Sequence, residues 1–143
     1  MSRPLLDVNV LLALAWPNHQ FHERARRWFA STAHKGWSSC AVTQLGFVRL
    51  SSNPAFTPAA KRPLEATLVL EQLVSHKGHH YLGALPPPAG PPFRDLVVRA
   101  LGHQQVTDAY LLGVAIRHQV PLATFDTRIK SLAPSPKAVL EIR

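Results

Sequence analysis

The chain has 143 residues, enough for one domain with a sizeable core, and a hydrophobic content of 46% against 17% charged excludes a disordered protein. A formal net charge of +8 makes a polyanion such as RNA an expected partner, although a basic surface kept for solubility explains the charge equally well. No apolar run approaches the roughly 20 residues that span a membrane. The single cysteine, Cys40, excludes an internal disulfide and points to the reducing cytoplasm.

The first elements are one strand and two helices. The apolar run "RPLLD" (3–7) predicts a buried strand, and "VNVLLALAW" (8–16) predicts a helix that ends near Pro17. "FHERARRWFAST" (21–32) places apolar side chains at helical spacing with arginines largely on the other faces, which indicates an amphipathic helix.

Two strands and two helices follow in the middle of the chain. "GWSSCAV" (36–42) predicts the second strand, and Thr43 is the expected cap of a helix over 44–52. "LEATLVLEQLVSH" (64–76) is typical of another amphipathic helix, and "HHYLGAL" (79–85) predicts the third strand.

The last predicted elements follow a proline-rich loop over 86–92. Residues 93–103 predict a short helix that ends at Gly102. Thr107 is the expected cap of a helix over 108–119, and "VPLATFD" (120–126) is the last clear strand.

Strands and helices therefore alternate along the whole sequence. This order predicts an α/β fold with a central, mainly parallel sheet. No internal repeat and no second core is visible, so we expect a single domain over residues 1–143.

Three aspartates occupy the ends of these predicted elements. Asp7 closes the first strand, Asp126 closes the last, and Asp108 opens a helix. The carboxyl ends of parallel strands share one edge of the sheet, and helices that follow the strands begin at that edge. We therefore expect the three carboxylates to lie close together.

Each aspartate also has an ordinary explanation. Asp108 lies in the first turn of a predicted helix, where the helix dipole favours an acid. Asp126 fits an ordinary turn, where aspartate is common. Asp7 is harder to explain, because an acid among leucines and valines is costly unless it is paired. The three together indicate a functional site.

The chemistry expected of such a cluster is metal-assisted hydrolysis. Adjacent carboxylates repel one another, and a hard divalent cation such as Mg²⁺ or Mn²⁺ relieves that repulsion. Such a cation activates water for attack on phosphorus. Asn9 can hydrogen-bond to a carboxylate or to a bound water, and Thr124 can orient its neighbour Asp126.

At this point the sequence resembles a known family. "LLDVNVLLAL", "VTQLGFVRLSSNP", "VTDAYLLGVA" and "LATFD" are similar, in this order, to the successive motifs of PIN-domain ribonucleases, above all the VapC toxins of bacterial VapBC toxin–antitoxin pairs. The resemblance implies a three-layer αβα domain with Mg²⁺- or Mn²⁺-dependent endoribonuclease activity. It also implies a cytoplasmic protein that is usually a homodimer and is held inactive by a VapB-type antitoxin. It makes Asp7 and Asp108 the principal metal ligands, with Asp126 completing the cluster, and all three the catalytic residues.

The sequence departs from the family pattern at one position. The family usually carries a second acid, commonly Glu, where this chain has Gln44, and a neutral amide weakens metal binding or changes the number of metals. Gln44 is therefore expected as an auxiliary residue. Arg49, on the same predicted helix, is a candidate contact for RNA phosphate, and a helix-surface charge explains it equally well.

Two alternative functions stay open at the level of sequence. The loss of an acid at Gln44 also suits a catalytically weakened module that binds RNA or a partner without turnover. "DVNV" loosely resembles the start of haloacid-dehalogenase-like phosphatases, with Asp7 as nucleophile, but Asn9 stands where those enzymes have a second aspartate. Structured RNA and single-stranded loops are both possible substrates of the leading candidate.

Overall fold

A sheet of five short strands lies at the centre of residues 3–143, the part of the chain that the computed structural model describes. The first two residues of the predicted domain lie outside it. All pairings in this sheet are parallel, and the strand order is β3-β2-β1-β4-β5. The strands are β1 (Leu5–Leu6), β2 (Trp37–Cys40), β3 (His79–Leu82), β4 (Leu122–Thr124) and β5 (Val139–Glu141).

Helices cover both faces of the sheet. They are α1 (Val8–Ala15), α2 (His22–Ser31), α3 (Ala41–Ser51), α4 (Pro63–Val74), α5 (Pro91–Val97) and α6 (Val106–Arg117). Short 3₁₀ turns cover Ala33–Lys35, His103–Gln105, Thr127–Leu132 and Pro136–Ala138.

The core consists of two apolar clusters, one on each face of the sheet. Alternate residues of β1 show the division, because Leu5 packs with α5 and α6 whereas Leu6 packs with α1, α3 and α4. Both leucines are fully buried. The predicted three-layer αβα class with a parallel sheet is therefore confirmed.

The same alternation directs the polar ends of the strands. Asp7, Thr124 and Glu141 stand two positions after residues of the α6 cluster, so their side chains lie on the α6 face. β1 and β4 are neighbours in the sheet, and the N–H of Asp7 donates to the carbonyl of Ala123 at 3.0 Å. One edge of the sheet therefore carries a group of polar residues facing the start of α6.

Two predicted helix starts are wrong, that of α3 by three residues and that of α6 by two. α3 begins at Ala41, and Thr43 lies inside its first turn, where its hydroxyl accepts from the N–H of Cys40 at 3.0 Å. α6 begins at Val106, after Gln105, so Thr107 is the second helical residue and not the cap. In both places the strand or turn before the helix ends earlier than the threonine suggested.

The C-terminal part of the chain departs further from expectation. α5 covers Pro91–Val97, whereas the sequence predicts a helix over 93–103. The helix starts earlier because prolines fit a first helical turn, and it ends earlier because residues after Val98 would bury little apolar surface. Val98 and Leu101 are indeed exposed. The strand β5 was not predicted, since a three-residue strand shortly after two prolines carries almost no periodic signal.

Within residues 3–143, none of the helices has the length and apolar character that crossing a membrane requires.

Candidate active site

Asp7 lies at the junction of β1 and α1, almost out of contact with solvent at 7% exposure. It caps α1, and its Oδ1 accepts a hydrogen bond from the N–H of Val8 at 2.7 Å. Burial raises the pKa of Asp7 above its ordinary value, the nearby Asp126 raises it further, and hydrogen bonds from Thr124 and Val8 act against the rise. Asp7 is therefore a buried carboxyl whose charged form needs support.

Thr124 at the end of β4 connects two of the aspartates. Its hydroxyl donates to Oδ2 of Asp7 at 2.9 Å and accepts from the backbone N–H of Asp126 at 3.0 Å. Thr124 is fully buried, so water does not compete for these bonds. A single hydroxyl thus fixes both the Asp7 carboxylate and the turn that carries Asp126.

Asp108 occupies the first turn of α6 on the same side of the sheet. Burial, the charge of Asp7 and the charge of Asp126, in that order, raise its pKa to about 6, and Arg128 partly opposes the rise. Charges act this strongly only over a few ångströms in a site shielded from water. Asp108 therefore lies near enough to Asp7 and Asp126 for their charges to raise its pKa.

Asp126 differs from the other two because it has a cationic partner. Arg128 donates from Nε to Oδ1 at 3.1 Å and from a terminal nitrogen to Oδ2 at 3.0 Å, a bidentate pair. These bonds hold the pKa of the Asp126 carboxyl below its ordinary value. The cluster therefore contains two carboxyls with raised pKa and one that is already neutralised.

The donors at this edge suit a hard divalent cation. They are carboxylate oxygens, which Mg²⁺ and Mn²⁺ prefer, and burial and the charge of neighbouring aspartates make the charged forms of Asp7 and Asp108 unfavourable. Within residues 3–143, no group of three or more His, Cys, Asp or Glu side chains is arranged so that it could hold a metal ion. Mg²⁺ keeps several waters and takes only one or two carboxylates from a protein, so Asp7 and Asp108 are the candidate ligands.

Asn9, a predicted auxiliary residue, and Arg49, a candidate contact for RNA phosphate, both face the solvent. Asn9 is an exposed residue of the first turn of α1, and Arg49 is exposed in the last turn of α3. Among residues 3–143, neither side chain makes a hydrogen bond to the aspartates. The structure therefore does not bring Asn9 or Arg49 into direct contact with the cluster.

Gln44 belongs to a separate hydrogen-bonded chain. Its Nε2 donates to Oγ of Ser39 at 2.9 Å, and the same Oγ lies 2.7 Å from Nε2 of His79. Ser39 alternates with Cys40, which packs in the α6 cluster, so this chain lies on the opposite face of the sheet, where the ring of Trp37 lies 4.7 Å from His79. In the described residues, Gln44 is bonded to Ser39 and not to Asp7, Asp108 or Asp126.

Two groups near the aspartates were missed in the sequence. Arg128 holds Asp126, and Glu141 stands beside Thr124 in the β4–β5 register, where Lys130 neutralises it at 3.0 Å. The signal for Arg128 was its position two residues after Asp126, which suits a turn in which a long cation returns to the acid. Glu141 had no signal, because β5 itself was not predicted.

Comparison with known proteins identifies the family of this fold. The family model described as "PIN domain" matches residues 5–134. That range contains β1 to β4 and the three aspartates. The haloacid-dehalogenase-like alternative is therefore wrong.

Curated relatives cover almost the whole chain. "Ribonuclease VapC38" of Mycobacterium tuberculosis strain H37Rv is 42% identical over 142 residues, which is 96% of each chain. "Ribonuclease VapC39" of that strain is 36% identical over 90% of this chain and 92% of its own. "Ribonuclease VapC44" is 40% identical over 89% and 88% respectively.

Proposed function

Since the chain belongs to the PIN-domain family and, within it, to the VapC ribonucleases, we propose that it is a metal-dependent endoribonuclease that acts as the toxin of a toxin–antitoxin pair. Its substrate is RNA, and the reaction is hydrolysis of a phosphodiester bond. The relatives named as ribonucleases do not favour the alternative of a binding module without turnover.

The observation that carries this proposal is the group of three aspartates at one edge of the sheet. Asp7 and Asp108 have raised pKa values because they are buried beside like charge, and Thr124 ties Asp7 to the Asp126 turn. A protein that only bound RNA would gain nothing from buried negative charge facing a polyanion. A site that recruits a divalent cation needs that charge.

Each residue has a distinct task in the proposed reaction. Asp7 and Asp108 supply the principal oxygen donors, Asp126 completes the acidic cluster, and Thr124 keeps the Asp7 carboxylate in one orientation. Bound Mg²⁺ or Mn²⁺ supplies charge neutralisation, polarisation of the phosphoryl oxygen and a lowered pKa of water. Burial of Asp7 and Thr124 excludes bulk water from one side of the site, which strengthens its electrostatic interactions.

The remaining predicted residues take part indirectly in this proposal. Gln44 is an auxiliary residue that keeps the charge at the start of α3 low, Asn9 reaches outward from the first turn of α1, and Arg49 contacts RNA phosphate at the periphery. A VapB-type antitoxin, a homodimer and a cytoplasmic location complete the proposal.

RNA cleavage with purified protein tests it. We expect a mixture of structured and single-stranded RNAs to be cut in Mn²⁺ or Mg²⁺ and left intact in EDTA. Asp7→Ala and Asp108→Asn should each lower the cleavage rate by about 100-fold or more, because each removes a donor oxygen from the metal.

The matched control is Asp95→Asn, which removes one exposed acid from α5, outside the cluster, and should leave cleavage within about twofold. Gln44→Glu reports on the binding-module alternative. Cleavage that appears only with Gln44→Glu would contradict the proposal. So would cleavage that persists both in EDTA and in the Asp7→Ala variant.

A further inference from the structure

A cavity lies between Arg128 and the loop that precedes α6. It has a volume of about 570 Å³ and is lined by residues 101–105 together with Arg128 and Ser131. Two of its walls adjoin the cluster, because Arg128 is hydrogen-bonded to Asp126 and Gln105 directly precedes the helix that carries Asp108. An occupant of this cavity therefore contacts Arg128, the partner of Asp126, and lies near the start of α6.

The wall over residues 101–105 is fixed in place. Oε1 of Gln105 accepts from the N–H of Leu101 at 2.8 Å, and the N–H of Gln105 donates to the carbonyl of Gly102 at 3.1 Å. Gln105 itself is buried, with 9% exposure. The loop is therefore closed on itself by a buried amide, and the cavity exists before any ligand arrives.

The lining has the chemistry that recognises a nucleotide. Arg128 is its cation, and the side chain is 71% exposed, so the guanidinium donors not used by Asp126 are open to solvent. His103 and Gln104 add polar groups, and Leu101, at 92% exposure, offers an uncovered apolar surface. None of the residues that line the cavity is acidic.

From this juxtaposition we propose that the cavity is a nucleotide subsite, in which Arg128 binds an RNA phosphate and Leu101 packs against the adjoining base. The subsite rests on the proposed ribonuclease function and receives the nucleotide next to the cleaved bond. Its volume lies within the range of about 300–1,000 Å³ found for small-molecule sites, which accommodates one nucleotide. The carboxylate of Asp126 keeps the guanidinium directed towards the cluster until phosphate takes up its free donors.

Binding of a short, fluorescein-labelled single-stranded RNA of mixed sequence tests the subsite by anisotropy in EDTA, where neither cleavage nor bound metal contributes. Arg128→Ala should weaken binding about tenfold or more and reduce the salt slope of log Kd by about one. Arg26→Ala is the matched control, since Arg26 is an exposed arginine paired with Glu23, away from the cavity. It should change affinity about twofold or less.

Arg128→Ala could weaken RNA binding by removing a phosphate contact or by leaving the Asp126 charge unneutralised. Repeating the substitution in an Asp126→Asn background separates these two effects. If Arg128 binds phosphate, Arg128→Ala still weakens RNA binding in this background. If the loss disappears there, or if Arg26→Ala causes an equal loss, the subsite proposal is overturned.

A second pair of variants addresses the apolar wall. Leu101→Ala should weaken RNA binding about threefold or more, whereas Leu64→Ala, which trims an exposed leucine of α4, should not. An equal effect of both would contradict the assignment of Leu101.

The cleavage assay keeps the two proposals apart. If wild-type protein binds RNA through Arg128 but does not cleave RNA in Mn²⁺, the proposed ribonuclease function is refuted. The nucleotide then no longer lies beside a cleaved bond. Metal-dependent cleavage with Arg128→Ala binding RNA normally refutes the subsite and leaves the ribonuclease standing.

Discussion

Asp108 is the residue whose ionisation most directly controls the site. In the metal-free protein its pKa is about 6, raised mainly by burial and then by Asp7 and Asp126. Below this pH the carboxyl retains a proton, which a divalent cation must displace before it binds. Above it the carboxylate is charged, and the cation relieves its repulsion with Asp7.

We therefore predict that Mn²⁺ affinity rises about tenfold between pH 5 and pH 7, because the ionised fraction of Asp108 increases across that interval. Titration calorimetry in buffers of different ionisation enthalpy measures the affinity and the released proton. Asp95→Asn should behave like wild type, and Asp108→Asn should lose most of the pH dependence. An affinity that falls as the pH rises would contradict the assignment.

Thr124 is the residue that supports the charged form of Asp7. Thr124→Val keeps the shape of the side chain but removes both the donor to Asp7 and the acceptor for the N–H of Asp126. Because these groups are buried, we expect a loss of about 1–3 kcal/mol in the free energy of unfolding and a higher pKa of Asp7. Urea unfolding measures the first quantity.

Thr124→Ser is the matched control, because it retains the hydroxyl and loses only a methyl group. It should cost about 1 kcal/mol or less and preserve cleavage. Equal losses for the Val and Ser variants would show that packing, and not the hydroxyl, is what Thr124 contributes.

At the scale of elements, the close contact between α1 and α3 sets the position of Asp7. A Cβ atom added at Gly46 of α3 would lie 2.8 Å from Cγ2 of Val8, the residue directly after Asp7. Val8 is β-branched and therefore has little rotamer freedom inside a helix. The absence of a side chain at Gly46 is what lets α1 approach α3 this closely.

Gly46→Ala should therefore destabilise the protein by about 1–3 kcal/mol, although alanine favours a helix over glycine. In a Val8→Ala background the clash is removed, and the same substitution should become neutral or stabilising by up to about 1 kcal/mol. Denaturant unfolding of wild type, the two single variants and the double variant measures the effect of Gly46→Ala on the free energy of unfolding in each background. The same sign in both backgrounds would contradict the contact.

Elements also differ in how well the sequence predicts them. β1, α1 and α4 combine clear apolar patterns with clear ends, and their predicted positions agree closely with the structure. α5 and β5 were mispredicted because their limits depend on tertiary contacts, such as the pairing of β5 with β4, that local patterns do not encode.

The candidate site was predicted in part for the same reason. Topology alone places Asp7, Asp108 and Asp126 at one edge, because parallel strands share their carboxyl ends. It does not reveal that Arg128 neutralises Asp126. Nor does it reveal that Gln44 forms a hydrogen bond with Ser39 on the opposite face of the sheet. Those details depend on side-chain directions beyond the reach of sequence spacing.

At the scale of the whole molecule, the acidic cluster is a local exception on a chain with a net charge of +8. The basic surface attracts RNA from a distance, and this attraction weakens with salt. Mobile ions screen the charges of both the surface and the cluster beyond about 10 Å at roughly 0.1 M salt, and the cluster differs because its few partly buried charges act on the groups that lie directly against them. Attraction of RNA and recruitment of metal are therefore properties of different parts of the surface.

Metal binding should also be visible in the stability of the entire fold. At a Mn²⁺ concentration of about 100 times Kd, mass action adds about 2.7 kcal/mol, which corresponds to a rise in Tm of roughly 5–15 °C. Differential scanning fluorimetry near neutral pH, with and without EDTA, measures this rise. Asp7→Ala should abolish most of it, and a rise of equal size in Asp7→Ala would show that Mn²⁺ binds elsewhere.

The hydrogen bond between Thr124 and Asp7 joins residues 117 positions apart. A ribosome that adds about 5–20 residues per second needs roughly 6–23 s to make the intervening polypeptide. During that interval Asp7 lacks its Thr124 partner, so the site is completed only when almost the whole chain has been synthesised.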